Sequence, residues 1–287
     1  MPSVDVGTAT LFYEERGSGA PLVLVHGIPT DYRAWASQTA PLSKDNRVIA
    51  VSRRYATPNS RQGDLSDSTV GNNALDLKNF IERLGVAPVH LVGHSYGGFI
   101  SAVLTADHPD LVRSLILVEP AVSTLLVANQ KSAAAVLSLL LRSPSVAMSA
   151  RKFQSGSLKP SLRALQRGDM RRAVELNVDG VQDAPGSFAK LPEDVRTMML
   201  ENARTIGELD TEFPRFTAEE ARRISCRTLV LNGELSPLWL RKIGALVAKH
   251  VPNAEALKVP AAHHFPHVEN PDAFNELVLA FLGKVGR

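Results

Sequence analysis

The chain has 287 residues, of which 44% are hydrophobic and 21% charged, with 32 Lys and Arg against 29 Asp and Glu for a formal charge of +3. This composition supports a large globular core and excludes wholesale disorder. The basic residues are dispersed as the pairs Arg53-Arg54, Arg171-Arg172 and Arg222-Arg223, so nucleic-acid binding is not expected and the pairs read as solvated surface.

In chain order, Met1 to Thr10 lacks a basic region followed by an apolar one, and no secretory signal is read there. Leu22 to Val25 is a short continuous apolar run that leads into His26-Gly27-Ile28-Pro29. Val48 to Val51 is a second run, followed by Ser52-Arg53-Arg54-Tyr55-Ala56-Thr57-Pro58-Asn59, whose two arginines could bind a substrate carboxylate but more commonly would bond loop carbonyls, and are left unassigned. Val70 to Leu84 is amphipathic at helical spacing. Val89 to Val92 is a third apolar run, and it ends in Gly93-His94-Ser95-Tyr96-Gly97-Gly98. A helix is expected over Phe99 to Asp107, stopping near Pro109, and a fourth buried strand over Ser114 to Val118, ending at Glu119-Pro120.

The rhythm then breaks. Residues 121–223 are helical in pattern and interrupted by Pro144, Pro160, Pro185, Pro192 and Pro214. The apolar run Ala133 to Leu141 is too short to span a bilayer, so no membrane partner is expected. Cys226 stands alone, which excludes an intramolecular disulfide and fits a reducing, cytoplasmic compartment. Thr228 to Leu231 is a fifth buried run, and helices are expected over Leu238 to His250 and Pro271 to Leu282. Continuous apolar strands alternating with amphipathic helices predict a mostly parallel α/β sheet covered on both faces, with its site at the strand carboxyl ends. The expected organisation is a core of residues 1–120 and 224–287 with a helical cap inserted over 121–223.

The GxSxG at the end of an apolar strand marks a nucleophile elbow, where Ser95 is exposed at a tight strand-to-helix turn. With the HGxP turn at His26 to Pro29 and the GHSxGG segment at Gly93 to Gly98, the chain resembles the α/β-hydrolase superfamily nearly from end to end. The resemblance implies an eight-stranded sheet, Ser95 as nucleophile, and the backbone N–H groups of Ile28 and Tyr96 as an oxyanion hole. His264, in Ala262-His263-His264-Phe265-Pro266-His267, matches the family's general base. His26 and His94 are then bracing or lining residues, and His263 and His267 have no assigned role.

The acid departs from the family pattern. Most members carry an aspartate where Gly233-Glu234-Leu235-Ser236-Pro237 offers Ser236, which cannot supply a charge. Glu119, at the preceding strand end, is the candidate acid, with Glu234 a rival that sits too early in its turn. The active-site pattern is similar to that of zearalenone-type lactonases, which pair a serine nucleophile with a hydroxyl residue and proline at this place. On this reading Ser236 is dispensable.

The resemblance implies a serine hydrolase that cleaves a carboxylic ester or lactone through an acyl-enzyme, needing no metal and no organic cofactor. The apolar cap residues Leu125, Leu126, Leu137, Leu139, Leu140, Phe153, Phe188, Met198 and Met199 suit a hydrophobic, cyclic or medium-sized substrate, most of them serving as cap core. A C–C bond hydrolase, a perhydrolase, and a receptor-like ligand-binding member of the fold stay open as alternatives.

Overall fold

The computed structural model describes residues 1–59, 65–129 and 132–286. Its strands are β1 (Ser3–Asp5), β2 (Thr10–Arg16), β3 (Ala20–Val25), β4 (Asn46–Val51), β5 (Val89–His94), β6 (Val112–Val118), β7 (Arg227–Gly233) and β8 (Ala254–Val259). They form one eight-stranded sheet in the order β1-β2-β4-β3-β5-β6-β7-β8. The β1/β2 and β2/β4 pairs are antiparallel, and the remaining neighbours are parallel.

Alternation along each central strand builds two cores at once. On β3, Val23 and Val25 join Phe80, Phe99 and Ile100 on one face, while Leu22 and Leu24 join Trp35, Phe274 and Phe281 on the other. The same split separates Leu115 and Leu117 from Ile116 and Val118 on β6. Successive side chains of a strand point to opposite faces, so a strand covered on both sides must be apolar at every position.

The outer strands obey a different rule. In β2 only Leu11 and Tyr13 are buried, and β8 is mostly exposed or half-buried along Ala254–Val259. Their sequences are accordingly mixed, and neither reads as a continuous apolar run.

The helix Val70–Leu84 begins where the Thr69 side chain accepts from the Asn72 N–H and ends at Gly85, whose φ of 67° places it in the left-handed region. That cap conformation favours glycine. Its buried face, which includes Leu77, Phe80 and Ile81, lies against the sheet. The helix Pro271–Val285 covers the opposite face through Phe274, Val278 and Phe281.

Between β6 and β7 the described residues contain helices and no strand, from Ser123–Leu126 through Ala218–Arg222; residues 130 and 131 of the expected cap lie outside the described residues. Among its apolar positions, Leu139, Phe188, Met198 and Met199 are buried and Leu125, Leu126 and Phe153 half-buried. Leu137 and Leu140 depart from the expected interior role, being 54% and 45% exposed. They share one face of the helix Ala133–Arg142, while Leu139 occupies the inward face. Among the described residues no helix is long and apolar enough to cross a membrane.

The surface reading of the arginine pairs is corrected in part, while the structural bonds to loop carbonyls expected of Arg53 and Arg54 are present, to His26 O and Gly27 O and to Asp67 O. Arg171, Arg172, Arg222 and Arg223 are exposed, but Arg53 and Arg54 are buried. A buried guanidinium needs a carboxylate partner, and each has one: Arg53 pairs with Glu208 at 2.6 Å, and Arg54 with Asp76 at 2.7 Å.

Phe274 is fully buried, with its ring 6.4 Å from that of Trp35. Phe274→Ala is expected to cost about 3–5 kcal/mol of stability, read as a lowered urea midpoint with an unchanged slope.

Candidate active site

Parallel pairing brings the carboxyl ends of β3, β5, β6 and β7 to one edge of the sheet, with Val25 opposite Gly93, His94 opposite Val118, and Val118 opposite Leu231. Each of these strands is followed by a residue singled out from the sequence: the His26 turn, Ser95, Glu119 and Ser236.

Ser95 lies between β5 and the helix Tyr96–Asp107 with φ 52° and ψ −115°. A non-glycine residue at positive φ is strained and persists only where its surroundings enforce it. Here the enforcement is steric. A Cβ on Gly93 would sit 2.4 Å from Ser101 Oγ and 2.6 Å from Gly97 O, and one on Gly97 would sit 2.4 Å from His26 O and 2.5 Å from Val25 O. The flanking glycines of the GxSxG are therefore required by contact with neighbouring backbone.

The histidine segment follows β8. His264 Nε2 is 3.0 Å from Ser95 Oγ, and its Nδ1 is 3.2 Å from Glu119 Oε2. Since a carboxylate only accepts, Nδ1 carries the proton toward Glu119 and Nε2 is left to accept from the Ser95 hydroxyl. All three side chains are buried, with 8% of Ser95 still exposed.

Glu119 also adopts positive φ, 49°. Its Oε1 accepts three hydrogen bonds: from Gly233 N at 2.6 Å, Ser236 Oγ at 2.7 Å and Asn232 Nδ2 at 3.0 Å. A fully buried carboxylate would otherwise carry a large desolvation cost. Ser236, expected to be dispensable, thus has a place: its hydroxyl holds the carboxylate that stands where it cannot act itself. The rival Glu234 is exposed and accepts from the Ala261 N–H at 3.2 Å, away from His264.

The HGxP turn runs against Ser95. A Cβ on Gly27 would lie 2.8 Å from His94 Nδ1 and 3.0 Å from Ser95 Cβ, so the Gly27–Ile28 peptide passes directly beside the elbow. Tyr96 is the first residue of its helix, where backbone N–H groups have no intrahelical acceptor and the helix dipole favours negative charge. The two expected donors, Ile28 and Tyr96, are buried beside Ser95.

His94, His267 and His263 make contacts within the protein. His94 Nε2 donates to the His264 carbonyl at 2.8 Å, and its ring packs 4.5 Å from that of His267. Burial lowers both, His267 to about 3. His267 also packs on Trp35 at 4.7 Å. His263 Nδ1 pairs with Glu269 at 2.9 Å. Burial pushes the Cys226 thiol up to about 11, so it is a poor nucleophile at neutral pH.

Two aromatic residues were not singled out from the sequence. Phe213 lies 6.3 Å from the Tyr96 ring and 5.9 Å from Phe99, and Phe216 lies 6.0 Å from Phe99. They belong to the stretch that leads back to β7, and flank the prominent Pro214 of the sequence.

An alpha/beta hydrolase fold family model matches residues 20–271. The chain belongs to this family. Pyrrolizixenacetamide deacetylase of Xenorhabdus hominickii is 27% identical, over 98% of this chain and 98% of its own. (E)-2-((N-methylformamido)methylene)succinate hydrolase of Acinetobacter baylyi is 24% identical, over 95% of this chain and 94% of its own. Among solved structures, Est816, described as an N-acyl homoserine lactone degrading enzyme, superposes with a TM-score of 0.65 at 21% identity, covering 98% of this chain and all of its own. These hydrolase relatives support an enzyme of that class.

Two substitutions test the site's construction. Gly97→Ala forces the elbow away from the His26 and Val25 carbonyls and is expected to cost about 1–3 kcal/mol, measured by thermal unfolding. Ser236→Ala removes one hydrogen bond to a charged acceptor, worth about 1.5–3 kcal/mol, and is expected to slow fluorophosphonate labelling of Ser95 about tenfold.

Proposed function

We propose that the protein is a serine hydrolase that cleaves the carboxylic ester or lactone of a hydrophobic small molecule through an acyl-enzyme. The observation that carries this reading is the chain of contacts Ser95 Oγ to His264 Nε2 at 3.0 Å and His264 Nδ1 to Glu119 Oε2 at 3.2 Å. A nucleophile, a base within hydrogen-bond reach and a group orienting that base are the parts an activated serine needs.

In the first half-reaction Ser95 Oγ attacks the carbonyl carbon while its proton passes to His264 Nε2. The carbonyl oxygen becomes an oxyanion facing the N–H groups of Ile28 and Tyr96. The ester C–O bond then breaks, and His264 returns the proton to the departing alkoxide. For a lactone the alcohol stays attached to the acyl group. In the second half-reaction water gives its proton to His264 as it attacks the acyl carbon, and the proton returns to Ser95 as the acid leaves. Glu119 remains ionised throughout and stabilises the imidazolium that forms in each half.

A lactone-degrading enzyme and a deacetylase among the similar proteins are in keeping with acyl transfer. The half-buried Phe213, with its ring 6.3 Å from that of Tyr96 next to Ser95, favours an apolar substrate. The lone Cys226 favours work in a reducing compartment, the cytoplasm.

The test is turnover of a panel of p-nitrophenyl esters and aromatic lactones, with mass-spectrometric detection of a fluorophosphonate adduct on Ser95. Ser95→Ala and Glu119→Gln are each expected to lower kcat about 10⁴-fold. An unlabelled wild-type protein overturns the reading, and full activity in Glu119→Gln removes Glu119 from it.

A further inference from the structure

Arg53 follows β4 and is almost fully buried, with its partner Glu208 supplied by the stretch Ala203–Asp210 of the helical insertion. Neither residue is hydrogen-bonded to Ser95 or His264, yet both halves of the expected oxyanion hole are within reach of this pair.

The first half is the Gly27–Ile28 peptide. Its N–H, on Ile28, is one of the two donors proposed for the oxyanion, and its other end is the Gly27 carbonyl. That oxygen accepts from Arg53 Nη2 at 3.3 Å, from His26 Nδ1 at 2.8 Å, from Thr30 Oγ1 at 3.1 Å and from Thr30 N at 3.4 Å. The His26 tautomer is fixed from the far side of its ring, because Nε2 accepts from the Arg53 backbone N–H at 3.0 Å. Arg53 Nε also donates to the His26 carbonyl at 3.2 Å. One arginine therefore grips both carbonyls of the turn and the imidazole between them. Of the four donors to Gly27 O only the Arg53 guanidinium is a cation, its bond to His26 O is charge-assisted as well, and such bonds are about twice as strong as neutral ones.

The second half is Tyr96. The Arg53 guanidinium carbon lies 5.0 Å from the centre of the Tyr96 ring, and Tyr96 Oη donates to the Ser68 carbonyl at 2.9 Å. Ser68 Oγ in turn donates to Glu208 Oε1 at 2.9 Å, while Glu208 Oε2 holds Arg53 Nη1 at 2.6 Å. The circuit closes on itself: Arg53, Glu208, Ser68 and Tyr96.

We propose that Arg53 is a positioning residue for the oxyanion hole, and that Glu208, reaching down from the insertion, holds it in place. Building on the hydrolase reading above, this makes seating of the insertion a condition for full catalysis. A donor at the carbonyl end of an amide polarises the N–H at its other end and fixes the peptide plane. Preorganisation of that kind acts on the charge that develops in the transition state and leaves ground-state binding nearly unchanged. Arg53 is thereby committed to protein carbonyls and a protein carboxylate, so substrate carboxylate binding is not its part.

The deciding experiment compares wild type, Arg53→Lys, Arg53→Met and Glu208→Gln in kcat, in KM, in affinity for a trifluoromethyl ketone analogue of the best ester, and in thermal midpoint. Lysine keeps the buried charge paired with Glu208 but lacks the fork that spans Gly27 O and His26 O, so it tests the geometry without orphaning a carboxylate. The expected result is a fall in kcat of about tenfold for Arg53→Lys and Glu208→Gln and about a hundredfold for Arg53→Met, below or at the loss of one direct oxyanion donor. Ketone affinity should fall in step while KM stays within about twofold. Wild-type kcat in Arg53→Lys and Glu208→Gln, with only the thermal midpoint lowered, would assign the pair a purely structural role and overturn the proposal. A loss confined to KM would also overturn it, assigning Arg53 to substrate binding. Both results leave the serine-hydrolase reading standing. Wild type without turnover or a Ser95 adduct overturns that reading, and this proposal with it.

Discussion

The arrangement depends on a carboxylate that has been taken fully out of water. Glu119 is held at positive φ at the end of β6, and one oxygen collects three donors from the β7 end while the other faces His264. Burying an ionised carboxylate without partners costs several kcal/mol, and four hydrogen bonds offset that cost. Because the donors come from Asn232, Gly233 and Ser236, the β6 and β7 ends are locked together at the site. The histidine tautomer then follows from the carboxylate, and the accepting nitrogen offered to Ser95 follows from the tautomer.

A second constraint is steric. Ser95 is kept at a strained φ because β5, the turn after β3 and the helix Tyr96–Asp107 crowd the same few ångströms, where Gly27, Gly93 and Gly97 have no room for a Cβ. Close packing of this kind makes the elbow rigid. The strain at Ser95 and the strain at Glu119 are both borne by strand ends paired in parallel register, whose cores on the two sheet faces resist adjustment.

The insertion is joined to this rigid floor by buried polar contacts. Besides Arg53 and Glu208, Asn202 donates to the buried Asp31 at 2.7 Å and accepts from the Thr57 N–H at 2.8 Å. Polar groups without water must keep their partners, so these contacts set where the insertion sits as well as how firmly. The exposed Leu137 and Leu140 lie on a helix that takes no part in them.

The sequence by itself determined the central strands, because double burial demands unbroken apolar runs, and it offered Ser95 and Glu119 as candidates because each follows such a run, and His264 because the segment around it resembles the family's histidine segment. It left β1, β2 and β8 unread, since strands exposed on one face carry mixed residues. It also missed the burial of Arg53 and Arg54 and the partner of Ser236. Burial of an arginine is decided by whether a carboxylate arrives from elsewhere, and Glu208 is 155 residues away along the chain. The hydroxyl of Ser236 gained its partner across 117 residues in the same way. Local pattern specifies elements and motifs through propensity and periodicity, whereas the pairing of distant polar groups is settled only when the tertiary fold removes water from between them.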